Sequence, residues 1–322
     1  MSRPLIASKL IKSVRDRALI PTDSSTYQDE DILNILNEEV TQGLLSTIMT
    51  LNEEHLVTYK DFTATTTLSD IGIKIPERAV GNKLRDIAYL RGKNVYEVSR
   101  ISLEELSDYR NSQEDYNIDL CYMEGDTVKF VSNVLSADSI RLYFYMTPNE
   151  IVSEDECGKV FSIVDNGDDT TTITLSSFPD NFTNLPTMDL VSSKVPNKIV
   201  NYDILPISVN KNSKTVTLST DAIPLSLSVG DYVCEQFTSP FLNMPSEMHP
   251  LLAQRAAVFV LEALGDTEGL KNAMMRLDKM EKAIQTILED RIEGAPQKIN
   301  PRHSPLKQTI GVGSKGSRKG RF

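Results

Sequence analysis

The chain has 322 residues, 40% of them hydrophobic and 25% charged, with a formal net charge of −11. That length and apolar content can bury a sizeable core and suit about two domains at roughly 100–200 residues each. No run approaches the ~18 apolar residues of a membrane span, and Lys9, Lys12, Arg15, Asp16 and Arg17 interrupt the N-terminal apolar positions, so an aqueous compartment with no membrane association is expected.

Two helices are predicted first. Leu5, Ile6, Leu10, Val14 and Ala18 recur at helical spacing behind Ser2 and Pro4, and IPTDSS stops the run. The second helix starts near Thr26, a candidate cap, with Asp29, Glu30 and Asp31 in its first turn, where the helix dipole favours negative charge. Its stripe of Ile32, Ile35, Leu36, Val40, Leu44, Ile48 and Leu51 needs a partner surface.

From His55 the pattern changes to β-branched and aromatic runs with partial alternation, among them LVTYKDFTATTTL, KLRDIAYL, SIRLYFYM, TTTITLSS and DYVCEQF, separated by Gly, Asn, Asp and Pro. Hairpins are predicted at RGKN (91–94) and DNGDD (165–169), and a short helix over about Leu103 to Gln113. Helices return after PFLNMPSEM. HPLLAQRAAVFVLEALG is apolar almost all round, its polar Gln254, Arg255 and Glu262 confined to a narrow strip, so burial on nearly every side is expected, with Phe259 enclosed. Gly265 can end this helix and Asp266 can cap the next, where Leu270, Ala273, Leu277, Met280, Ile284 and Ile287 alternate in steps of three and four.

Packing these last helices on the first pair gives an α+β fold. A discontinuous helical domain (residues 1–54 and 242–292) carries an inserted all-β region (55–241) and ends in a basic tail (293–322). Leu252, Ala256, Phe259, Leu270, Leu277 and Ile284 are the candidates for packing within the helices or between copies.

Catalytic patterns are missing from the sequence. His55, His249 and His303 are the only histidines, none near a cysteine; His249 precedes Pro250 at a helix start, where capping or packing suits it. There is no G-x-S-x-G and no P-loop. Glu38/Glu39, Glu104/Glu105 and Asp168/Asp169 fall on an outer helix face, a helix start and a turn, and a sugar groove would usually offer an aromatic platform, whereas this chain has no Trp. DNGDDT lacks the further ligands and closing Glu of an EF-hand loop. Cys121, Cys157 and Cys234 lie far apart without Cys-x-x-Cys spacing, which argues against a disulfide framework or a zinc site and for buried thiols. No enzymatic activity, metal or cofactor is expected.

Charge is distributed unevenly. From Arg291 onward eight Lys or Arg stand against Glu293 alone, making the tail +7 and leaving −18 on residues 1–290. The tail's composition cannot form a core, so any order in it must come from a surface outside itself. Pro296, Pro301 and Pro305 disfavour continuing a helix. Arg302, Lys307, Lys315, Arg318, Lys319, Arg321 and Phe322 are candidates for docking on an acidic protein neighbour.

The phrases IPERAVGNKLRDIAYL, SRISLEEL, RLYFYMTPNEIV, LSVGDYVC and HPLLAQRAAVFVLEALGDTEGLKNA, in this order behind YQDEDILNILNEE, resemble the head-to-tail connector proteins of tailed bacteriophages. These are adaptor or head-completion proteins of the virion neck, and crAss-like phages, with several ring proteins, are among the homes the resemblance suggests. It covers about residues 5–295 and rests on recurring phrases, not on a catalytic signature. It implies a helical-bundle adaptor domain, a homo-oligomeric ring of twelvefold symmetry, a C-terminal extension docking on the portal protein, and contacts with other neck or tail proteins. This chain departs from minimal adaptors in the size of its β insertion. An acidic lumen would let DNA pass without specific binding, since non-specific binding needs clustered cations facing the strand. Two alternatives stand beside this reading: a tail-hub or fibre-anchoring module acting through the β region, and a nucleic-acid binder acting through the basic tail.

Overall fold

In the computed structural model, which describes residues 5–22, 26–63, 72–106, 120–131, 139–184, 187–194 and 198–288, the N-terminal helices form where the apolar spacing places them. Helix α1 (Ala7–Ala18) buries Leu10, Ile11, Val14 and Ala18 along one face. Helix α2 (Asp29–Glu39) is capped two residues later than the predicted Thr26. Its cap is Gln28, whose backbone N–H donates to Asp31 Oδ2 at 2.8 Å.

The chain then makes a π-helical turn, Val40–Leu44, before α3 (Leu45–Leu51). Ile32, Leu36, Val40, Leu44 and Ile48, all buried, explain the turn by their spacing of four. In a regular helix each such step drifts the stripe by about 40°, because a residue turns about 100°. The wider π turn takes up part of that drift and returns Leu44 and Ile48 to the core.

At the other end of the chain, α4 (His249–Leu264) and α5 (Thr267–Ile287) form a hairpin of helices. Gly265 closes α4 at φ 72°, a left-handed conformation suited to glycine. Asp266 Oδ1 then accepts the Gly269 N–H at 2.9 Å and caps α5. All five described helices contribute to one apolar cluster, with Leu10, Leu36, Leu44, Leu252, Ala256 and Val260 among its buried members. Two long-range bonds join the chain's ends there: Ala7 N–H to the Pro240 carbonyl (2.9 Å) and Leu5 N–H to His249 Nδ1 (3.0 Å).

The strands form two lobes. In the first, β1 (Val57–Thr63), β3 (Ala79–Arg91), β4 (Asn94–Glu97) and β8 (Ser139–Met146) make a sheet of order β1-β8-β3-β4. A second sheet, ordered β2-β7-β6-β5, contains β2 (Ile73–Lys74), β5 (Ser99–Arg100), β6 (Leu120–Glu124) and β7 (Thr127–Phe130). Alternating residues of β8, namely Ile140, Leu142 and Phe144, meet Cys121, Val128 and Phe130 in one core. The hairpin predicted at RGKN is present, with Arg91 opposite Asn94. The short helix predicted at Leu103 lies mostly outside the described residues.

The second lobe is a seven-stranded antiparallel sheet of β10 (Gly158–Asp165), β11 (Thr170–Leu175), β12 (Met188–Val191), β13 (Ile199–Ile204), β14 (Ser208–Asn210), β15 (Thr215–Ser219) and β16 (Tyr232–Glu235). Its order is β13-β12-β16-β10-β11-β15-β14. Ile204 from one edge shares a core with Val216 and Leu218 from near the other, so the sheet curls about its own side chains. The opposite face of its central strands is covered too: Val191, Tyr232 and Cys234 pack with Val152, Phe241 and Ile6. A short parallel pair, β9 (Glu150–Ile151) with β17 (Thr238–Ser239), completes the described strands. The fold is α+β, with several sheets and a small set of helices.

Candidate functional site

Leu252, Ala256 and Ile284 are buried, and Leu270 and Leu277 are partly buried against the same core. Phe259 departs from expectation. It is 45% exposed, and Ala263 and Leu264 beside it also face outward, so α4 is not enclosed on nearly every side. Its apolar excess overstated burial because one flank of the helix is left uncovered by the other described residues. The predicted tail residues Arg302, Lys307, Lys315, Arg318, Lys319, Arg321 and Phe322 lie outside the described residues.

Helix α5 is the most solvent-facing long element. Of its 21 residues only Ala273 and Ile284 are buried, while Met274, Met275 and Ile287 are exposed. Together with Phe259 and Leu264 they leave the α4–α5 hairpin with apolar side chains directed away from its own core. The hairpin is held in place by polar contacts that the sequence did not advertise. Buried Gln254 donates to the Ala273 carbonyl at 3.2 Å and accepts from Arg17 Nη1 at 2.7 Å. Arg255 reaches past Gly43 in the π turn and donates to Glu281 Oε1 at 2.6 Å. A Cβ on Gly43 would fall 2.2 Å from Arg255 Nη1, so glycine leaves the space through which the guanidinium passes. Burial raises the Glu39 carboxyl beside it, against the opposing charge of Arg255.

The densest polar cluster joins the two β lobes. Arg78, fully buried just ahead of β3, donates from Nη2 to both carboxylate oxygens of Asp189 at 2.8 Å. Its Nε donates to Asp203 Oδ1 and its Nη1 to Asn149 Oδ1, each at 2.8 Å. Asp189 also accepts from Asn149 Nδ2 (2.8 Å) and from the backbone N–H groups of Asp203 (3.1 Å) and Phe237 (3.2 Å). The guanidinium stacks 4.2 Å from the Phe237 ring centroid. Burial pushes the Asp189 carboxyl upward, and these donors oppose that push. For Asp203 burial acts the same way, but the Arg78 hydrogen bond and charge prevail and its carboxyl is held below the usual range. Every donor of this cluster is directed at a partner within the fold, so its chemistry is that of a clamp between lobes.

His249 is buried, and burial lowers its imidazole pKa despite nearby backbone acceptors; Nδ1 accepts from Leu5, which fixes the proton of the neutral ring on Nε2. Nothing about it suggests a general base: its usable nitrogen is tied to a backbone N–H. Two surface grooves run along α2. One of about 420 Å³ lies by Asn37, Thr41 and Glu150, and one of about 640 Å³ is lined by Ala7, Ile11 and Leu33 together with Asp29, Glu30, Glu154 and Glu156. The second suits a cationic partner and would repel a phosphate. Among the described residues no group of three or more His, Cys, Asp or Glu is arranged to hold a metal ion, and no described helix is long and apolar enough to cross a membrane. Comparison with known families finds no family model that matches this chain, and comparison with curated proteins finds no matching sequence.

Proposed function

We propose that this chain is a structural virion protein of the head-to-tail connector class, whose copies form a ring, twelvefold by the resemblance, beneath the portal protein. In this reading the discontinuous helical bundle is the adaptor body, the β lobes face further neck or tail proteins, and the basic tail docks on the portal or a neighbouring subunit. DNA passes through the ring without specific binding. The reading assigns no catalytic step, cofactor or metal, and places the protein at the neck of the virion.

The observation that supports it most is the exterior of the α4–α5 hairpin. Phe259, Leu264, Met274, Met275 and Ile287 are exposed on this pair of helices, of which α4 is anchored in the core by Leu252, Ala256 and Val260. Met and aromatic side chains are enriched where proteins associate, and apolar groups exposed on both helices of this hairpin suit a neighbouring copy. Sedimentation velocity and negative-stain images of the purified protein, with and without portal, test the reading. Closed rings in either condition are expected; a monomer at every concentration in both would sink it.

The second lobe favours one other reading. It exposes Phe161, Leu205, Ile207, Leu225 and Val229, a surface that a tail-hub or fibre-anchoring module would use. Cross-links between copies that fall in this lobe, with none in α4 or α5, would select it.

A further inference from the structure

Cys157 and Cys234 are distant in sequence but adjacent in the sheet. The ladder between β10 and β16 pairs Lys159 with Tyr232 and Gly158 with Val233, and continuing that register one residue past the start of β10, where Cys157 is extended (φ −118°, ψ 139°), sets Cys157 opposite Cys234. Val160 N–H donates to the Asp231 carbonyl at 2.8 Å, so by the alternation of an antiparallel ladder the cysteines fall at a non-hydrogen-bonded position. At such positions the Cα atoms stand about 4.5 Å apart, inside the range of about 4.4–6.8 Å that a disulfide spans. Both residues are fully buried in the cluster with Val152, Val191, Tyr232 and Phe241. Cys121, by contrast, is buried in the core of the other lobe.

We propose that Cys157 and Cys234 form a latent disulfide, closed by exchange with a low-molecular-weight disulfide when the protein meets oxidising surroundings. One protein thiol, deprotonated, attacks a sulfur of the small disulfide, breaking its S–S bond and releasing one small thiol. The second protein thiolate then displaces the other small thiol from the mixed disulfide. The two cysteines are oxidised together, and the small disulfide takes up their two electrons and two protons.

The surroundings set when this happens. Burial raises the Cys234 thiol well above its ordinary range, followed by its bond to Cys157 and the charge of Asp189, which the β12–β16 ladder places on its other side. In the closed fold the reactive thiolate is therefore scarce, and a reducing compartment keeps the pair open. Exchange must pass through local opening of the sheet, so closure is slow and the finished bond is shielded from reductant. The proposal concerns the isolated chain and stands apart from the connector reading.

The test uses the full-length protein, incubated natively with oxidised glutathione, and in a parallel arm refolded from denaturant in a glutathione redox buffer so that access is not limiting. After acid quenching, unfolding and alkylation, the expected product in at least the refolded arm carries one free thiol, at Cys121, with a Cys157–Cys234 peptide that disappears on reduction. Its melting temperature should exceed that of the reduced protein, and Cys157→Ser and Cys234→Ala should each abolish the linked peptide. Three alkylatable thiols in both arms, or a disulfide that engages Cys121 instead, would overturn the proposal.

Discussion

At Arg78 a single guanidinium, with no exposure to water, satisfies Asp189, Asp203 and Asn149. Removing it leaves the Asp189 carboxylate buried with its main counter-charge gone. Arg78→Ala is expected to cost about 3–5 kcal/mol, the range for breaking one side of a buried pair. Urea denaturation followed by tyrosine fluorescence measures this, and Arg78→Lys should recover only part of it because a single ammonium cannot reproduce the fork. A loss near zero in Arg78→Ala would show that the two lobes do not depend on the clamp. His249 contributes to the pH dependence. Its folded pKa is lowered by burial, so the unfolded chain binds the proton more readily. Stability from this group is fully present above the unfolded value of about 6.5 and declines as pH falls below it toward the folded pKa. Thermal melts at pH 7.5 and pH 5.5 should show that decline, and His249→Gln should lessen it; an equal pH dependence in the variant would exclude His249 as its source. None of this was readable in IPERAV or in the single letter before Pro250 beyond a packing role.

Among the elements, α4 and the π turn show how local pattern and packing divide the work. The caps of α2 and α5 and the glycine stop at 265 involve neighbours within one turn, so the sequence signals for them were legible, if two residues early at Thr26. The spacing of Ile32 to Ile48 was visible as well, but whether it became a π turn depended on the core that buries the stripe. For α4 the outward flank was not visible, because an apolar side chain reads the same whether its cover comes from the same chain or from another. A paired substitution separates the two faces. Val260, fully buried, should not tolerate a charge, and Val260→Asp is expected to destabilise the fold by several kcal/mol. Phe259→Asp, on the exposed flank, should change monomer stability by no more than about 1 kcal/mol yet weaken self-association. Circular dichroism melts and sedimentation velocity read the two effects. A Phe259→Asp protein that unfolds would show that this flank is closed within the single chain.

For the whole molecule, the charge asymmetry makes the clearest forecast. On the connector reading proposed above, deleting residues 296–322 should leave the melting temperature of the body unchanged while preventing stable attachment to portal-bearing capsids. At roughly 3.3 Å per residue an extended segment of this length can span on the order of 80–90 Å, enough to cross onto a neighbour. Co-sedimentation of full-length and truncated protein with capsids checks it, and equal attachment by both would remove the tail from the docking role. Raising salt should weaken attachment of the full-length protein, because screening at about 8 Å already operates at physiological ionic strength and tightens with added salt.

What could be read from the residues in order was what depends on near neighbours: helix faces, hairpin turns at RGKN and DNGDD, the all-β stretch between two helical ends, and the segregation of positive charge into the tail. These follow from rotation per residue, backbone freedom and composition, which act over a few positions. The bond from Leu5 to His249, the Arg78 clamp and the meeting of Cys157 with Cys234 were decided by tertiary structure alone. Each depends on strand order and on register across long stretches of chain, and a slip of one residue in a sheet reverses which face every side chain occupies.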